Sequence, residues 1–336
     1  MKKIVLALTA VLALTSCEKW NQPTEPTSDN IIVSGILTED TYWHGDSIYE
    51  MVGKVVVDSG VTLTIEPGTL VLAREGQGSL ASALIVAQGG KIMAEGTPLT
   101  PITFTSVLDL ETDLDESDQG LWGGIVILGD APISADAVPA NIEGIPVNAN
   151  YGLYGGEDST DDSGVLRYVS IRHAGTLIGD GNELNGLTLG GVGSGTTIDH
   201  IEVVGNLDDG IEFFGGNVDA TNLLVWAQGD DAFDVDQGWF GTITNYIAIK
   251  GPNSDHALEI DGGEGSTNPM FILEEGMFIS TDGVELHFRD GANGFISYTG
   301  VANISTDSLT SVMVDTTAGA DPTVFNWTYA HFKGAL

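Results

Sequence analysis

Ile211 and Phe213, Phe233 and Val235, Leu258 and Ile260, and Val284 and Leu286 alternate with polar residues in four short runs. Each run opens on an acidic or turn-forming phrase: Asp208-Asp209-Gly210, Asp230-Asp231-Ala232, Asp255-His256-Ala257 and Thr281-Asp282-Gly283. The acidic residues Glu212, Asp234, Glu259 and Glu285 follow one another at steps of 22, 25 and 26. Between the runs lies a second repeated strand that ends in glycine, at residues 198–205, 221–229 and 243–251. Strict alternation without a helical period predicts strands. A fixed period of this size in a chain of short strands predicts a solenoid, with each coil stacked on the last.

The first half carries looser versions of the same phrases, at residues 61–69 (VTLTIEPGT), 83–86, 91–94, 101–105 and 120–127 (GLWGGIVI). Together these resemble the opening coils of the pectate-lyase-like superfamily, and in particular its Gram-negative lipoproteins. The resemblance covers roughly residues 31–300. It implies an all-β, right-handed parallel β-helix of about nine to eleven coils. It leaves the activity open, because one such fold hosts many functions. Two acidic stretches, 109–119 and 136–163, break the period and are expected to project as loops. Residues 301–336 lose the repeat. Their Phe325, Trp327, Tyr329 and Phe332 are expected to cover the open end of the last coil, whose free strand edge would otherwise pair with another molecule.

In such strands alternate residues face the core, and their neighbours stack on equivalents about 4.8 Å away in the next coil. This places Glu212, Asp234, Glu259 and Glu285 in one outward row and Phe214, Asp236, Asp261 and His287 in the next. Asp209, Asp231, His256 and Asp282 line the strand entrance. Unit charges at that spacing repel by roughly 0.9 kcal/mol in water and about 3.5 kcal/mol at an effective dielectric of 20. Splayed side chains and salt can absorb part of this. A bound cation or shared protons would absorb more. Calcium is the leading cation, since it takes oxygen ligands that carboxylates on adjacent coils can supply. Glu212, Asp234, Glu259 and Glu285 are its candidate ligands. The histidines, His44, His173, His200, His256, His287 and His331, are scattered without zinc-ligand spacing. His200, Asn222 and Asn245 fall 22 and 23 residues apart, a spacing that predicts a turn ladder.

Charge and the amino terminus add a compartment. Eleven Lys and Arg against 48 Asp and Glu give −37, a field that excludes nucleic-acid binding. A hydrophobic fraction of 42% excludes wholesale disorder, and 45 glycines fit a turn-dense chain. Lys2-Lys3 and the apolar run 4–15 precede Leu14-Thr15-Ser16-Cys17, which resembles a bacterial lipoprotein signal. Residues 1–16 would then be the signal peptide and 17–30 a lipidated cysteine with a flexible tether. Cys17, the only cysteine, would carry the lipid that holds the mature chain to the outer membrane, at the surface or the periplasmic face.

Two functions fit these residues. Asp236, Asp261 and His287, with Trp239 and Phe240 in the adjoining turn, would form a surface for a carbohydrate or a surface protein, the rings stacking on sugar faces. The alternative is a glycoside hydrolase. Asn206-Leu207-Asp208-Asp209, Asp230-Asp231 and Asp255-His256 resemble the Asn-Thr-Asp, Asp-Asp and Gly-His-Gly order of polygalacturonase-type β-helices. That resemblance makes Asp209, Asp230 and Asp231 the acid and water-activating groups of an inverting hydrolase, tuned by His256. The departures are Leu207 for threonine, a histidine without flanking glycines, and Arg289-Asp290 where that family has Arg-Ile-Lys.

Overall fold

The computed structural model describes residues 30–76, 78–179 and 182–336. The expected signal peptide, Cys17 and nearly all of the expected tether lie outside the described residues. No helix among them is long and apolar enough to cross a membrane. The chain folds as a parallel β-helix, with 22 strands joined in one continuous sheet.

Three ladders run along the helix. The first stacks Ile125–Leu128, Leu187–Gly190, Ile211–Phe214, Phe233–Asp236, His256–Asp261, Val284–Arg289 and Ala302–Thr306 in parallel register. The second and third are the two halves of longer strands, such as Thr197–Val204, Ala220–Trp226 and Thr242–Ile249, each bent in the middle. Ile211, Phe213, Phe233, Val235, Leu258, Ile260 and Leu286 are buried in the common core, as alternation predicts.

The bends rest on the residues at the centre of each long strand. Tyr168, His200, Asn222, Asn245 and Glu275 all adopt left-handed backbone, with φ between 50° and 61°. Asparagine tolerates that region better than most residues and can bond locally there. Asn245 Nδ2 donates to Asn222 Oδ1 at 2.7 Å, and Asn222 Nδ2 donates to Asp199 Oδ1 at 2.9 Å. His200 stacks on Tyr168, with ring centroids 4.1 Å apart. The turn ladder is therefore present. Asn222→Ala is expected to lose about 1–2 kcal/mol by urea denaturation, from two hydrogen bonds and the left-handed backbone. Asn222→Gly should recover the backbone part alone. Equal losses in both variants would remove the conformational half of the argument.

Both insertions differ from the expectation that they project. Within residues 136–163, Ile142, Ile145 and Tyr154 are buried in an apolar cluster with Val126, Leu128 and Phe214 on the outer face of the first ladder. Ser134, just before this stretch, donates its amide to the Gln237 carbonyl at 2.7 Å and its hydroxyl to the Thr267 carbonyl. The insertion is a cover. Its apolar residues find partners on the sheet because the strands beneath it are apolar on both faces. In the stretch 109–119, Leu114 is buried and Gln119 Nε2 donates to the Ala227 carbonyl at 2.7 Å.

The carboxyl terminus also differs. Ala302–Thr306 and Ser311–Asp315 continue the parallel register beyond residue 300, so the repeat runs further than the sequence suggests. The tail then turns back along the side of the helix. Phe325 and Ala330 pack on Val204, Leu224, Trp226 and Ile247, the outer face of the third ladder. The Ala330 amide donates to buried Glu202 at 2.8 Å, and the Arg172 guanidinium lies 4.2 Å from the Tyr329 ring centre. The end of the last coil leaves Ile304 and Val314 partly exposed, although both continue the inward-facing register of Leu286 and Ile296.

Candidate functional site

The outer face of the first ladder gathers the acidic residues. The register aligns Thr188, Glu212, Asp234, Glu259 and His287, one per coil. Asp261 pairs with Arg289, and Phe214 with Asp236. Glu285 is therefore not in the row assigned to it. It lies opposite His256 and is exposed, and Glu259 instead pairs with His287, two residues beyond the expected partner. His287 takes its place, and Arg289 takes the place expected for His287.

The row is also less open to solvent than an outward face implies. Glu212 and Glu259 are 6% and 8% exposed, and Asp209 and Asp231 are buried at the strand entrance. The covering segment accounts for part of this: Tyr154 donates its hydroxyl to Gln237 Oε1 at 2.8 Å and packs edge-on against Phe214. Asn185, one coil earlier, donates to Glu212 Oε2 and to Thr188 Oγ1.

Burial of so many acids changes their protonation. Burial first, and then the neighbouring charge of Asp234, push Asp209 and Glu212 well above the usual carboxylate range. Asp234 is raised by burial and by Asp236 and Glu259. Burial pushes Asp236 up to about 7. Asp231 and Glu259 form a coupled pair. Burial and a hydrogen bond to Glu259 push Asp231 up to about 10. Glu259 ends below its ordinary value, because Asp231, Arg289 and the two histidines together outweigh its burial. Arg289 is the one Lys or Arg ion-paired with this row among the described residues, reaching both Glu259 and Asp261.

Three sets of side chains could hold a metal, each with ligand atoms within 4.8 Å of one another. They are Asp209, Asp231 and Asp234; Asp208, Asp209 and Asp230; and His256, Glu259 and His287. Of the four expected calcium ligands, Asp234 and Glu259 fall in these sets and Glu212 and Glu285 do not. The expectation of scattered histidines is corrected for His256 and His287, whose ring centroids lie 5.1 Å apart. Alternation shows that both belong to strands. Only the register shows that they are neighbours.

The hydrolase residues divide. Asp230 is exposed, whereas Asp209 and Asp231 are buried and cap backbone amides. Asp209 Oδ1 accepts from the Asp231 amide at 2.9 Å. Asp231 Oδ1 accepts from the His256 amide at 2.9 Å and lies 2.8 Å from His256 Nδ1. The repeated acid at the strand entrance thus ties each coil to the next. Among the proposed ligand-surface residues, Asp236, Asp261 and His287 are half-buried, and Phe240 is 36% exposed.

Trp239 is a clear correction. It is 1% exposed, with its ring 4.7 Å from Phe213 and its Nε1 donating to the Val218 carbonyl at 3.2 Å. The turn after Asp236 rolls inward because Gln237 and Gly238 both take left-handed backbone. The indole consequently enters the core between coils and presents no stacking surface. Sequence reasoning also missed Asn185, Tyr154 and Gln237, which surround the acids from outside the repeated phrase.

The parallel ladders, the bent strands and the covered acidic face define a parallel β-helix protein. A sequence model of the family described as pectate-lyase like beta helix domain matches residues 35–307, and the chain belongs to that family. No curated protein and no solved structure matches it.

Proposed function

We propose that this chain is a non-catalytic binding protein of the cell envelope, lipid-anchored at Cys17 to the outer membrane, whose acidic face is stabilised by calcium. One observation carries the calcium reading. Asp209, Asp231 and Asp234 bring carboxylate oxygens within 4.8 Å of one another, and Asp234 Oδ1 is buried without a hydrogen-bond partner among the described residues. Three hard oxygen donors suit calcium, with carbonyls and water completing its shell. The signal-like segment ending at Cys17 supports the anchor. The ligand is a glycan or another surface component, and Phe240 remains the aromatic ring offered to it. The use of Asp209 and Asp231 as backbone caps favours binding over the hydrolase alternative.

After removal of divalent ions, millimolar calcium is expected to raise the Tm of the mature chain by about 5 °C or more if it saturates the site. Asp234→Asn should abolish that rise. No shift in the wild-type protein would overturn the calcium reading. Reducing ends released from a polysaccharide by the wild type but not by Asp231→Asn would replace the binding reading with the hydrolase.

A further inference from the structure

The acidic row ends in a group of different chemistry. His256 and Glu259 lie on the strand His256–Asp261, and His287 lies on the next coil directly opposite Glu259. His256 Nδ1 is 3.4 Å from Glu259 Oε2, and His287 Nδ1 is 3.9 Å from Glu259 Oε1. Glu259 is 8% exposed. The His287 Nδ1 atom is buried, without a hydrogen-bond partner among the described residues, and faces that carboxylate. An imidazole nitrogen left this way is costly unless a proton or a metal joins it to its neighbour.

We propose that His256, Glu259 and His287 form a site for a borderline divalent cation of the zinc and cobalt class, clipping the coil of residues 256–261 to that of 284–289. Ligand atoms around a tetrahedral ion with bonds near 2.0–2.1 Å are about 3.4 Å apart. The observed separations approach this, so small side-chain movements close the shell. Two imidazoles and one carboxylate favour such an ion over calcium, which takes oxygen. Arg289 Nη2 contacts Glu259 Oε1, the oxygen that faces His287, and opposes a cation. Asp261 also accepts from Arg289 Nε and can hold the guanidinium when a cation takes Glu259. Asp231 Oδ1 lies 2.8 Å from the same His256 Nδ1 and would give up the proton shared with that nitrogen when the cation binds. This site shares no ligand with the triplet Asp209, Asp231 and Asp234, and does not depend on calcium binding there.

The test is a cobalt(II) titration of the full mature chain, freed of metal and followed by visible absorption. A saturable spectrum with intense d–d bands is expected, reversed by zinc and unaffected by excess calcium. His287→Gln should weaken cobalt binding at least about tenfold, while His331→Gln, on the distant carboxyl-terminal helix, should not. Should His287→Gln fail to fold, imidazole NMR signals of the wild type decide: zinc should shift those of His256 and His287 and leave those of His44 and His331 unmoved. Absence of the bands, displacement by calcium, or equal binding by a folded His287→Gln would overturn the site. A cobalt spectrum in a protein whose Tm ignores calcium would leave it standing and remove only the calcium reading.

Discussion

Trp239→Ala is expected to lose about 3–5 kcal/mol of stability, in the range of a large aromatic removed from a packed core. The indole is 1% exposed and lies against Phe213, and its Nε1 is satisfied by the Val218 carbonyl. The turn closes tightly over it two residues later: a Cβ built on Gly241 would stand 2.6 Å from the Trp239 ring. Alanine therefore leaves a cavity that neighbouring strands, held in register by parallel ladders, can only partly fill. Urea denaturation of both proteins measures the loss. A loss below about 1 kcal/mol, within the range of surface substitutions, would mean that the ring does not sit in the core.

The pH dependence is the second large effect. With divalent cations chelated, stability is expected to fall as pH rises from about 5 to about 8, by about 1.4 kcal/mol per unit for each excess proton held by the folded state. The sign follows from the buried acids. Unfolded carboxyls release their protons near pH 4, while folded Asp236 holds its proton up to about 7 and Asp231 up to about 10. Asp209, Glu212 and Asp234 are shifted the same way. The folded chain thus binds more protons than the unfolded chain across this window, and raising the pH favours unfolding.

Two groups test the bookkeeping. Asp199 is held below the usual carboxylate range by His200, Asn222 and Thr221 against its burial, so it is ionised in both states above pH 5 and adds no slope. Burial lowers His173, which opposes the trend below about pH 6.5 because the unfolded imidazole then binds the extra proton. Urea midpoints at several pH values in chelator decide the matter. A flat or rising stability would show that the acidic row is ionised and solvated.

Much of the architecture is legible in the amino-acid sequence. Alternation in 211–214, 233–236 and 258–260 assigns the core residues and the period of the coils, because apolar side chains must face inward on every turn. The spacing of His200, Asn222 and Asn245 marks the bends, since few residues tolerate left-handed backbone. The acids at 212, 234 and 259 fall on one face by the same parity.

Three features need the tertiary structure. The first is the partner of Glu259. Val284, Leu286 and Phe288 are all apolar, so sliding that strand by two residues leaves every inward side chain inward, and hydrophobicity alone cannot separate Glu285 from His287. The second is the fate of Trp239, which depends on two left-handed residues in a turn and not on the composition of that turn. The third is burial of the acidic row, to which the non-repeating segment carrying Ile142, Ile145 and Tyr154 contributes. Periodicity fixes which residues face the core, because a one-residue slip would turn them to water. Which charged groups meet, and what covers them, depends on even-numbered shifts and non-repeating segments that the alternation leaves undetermined.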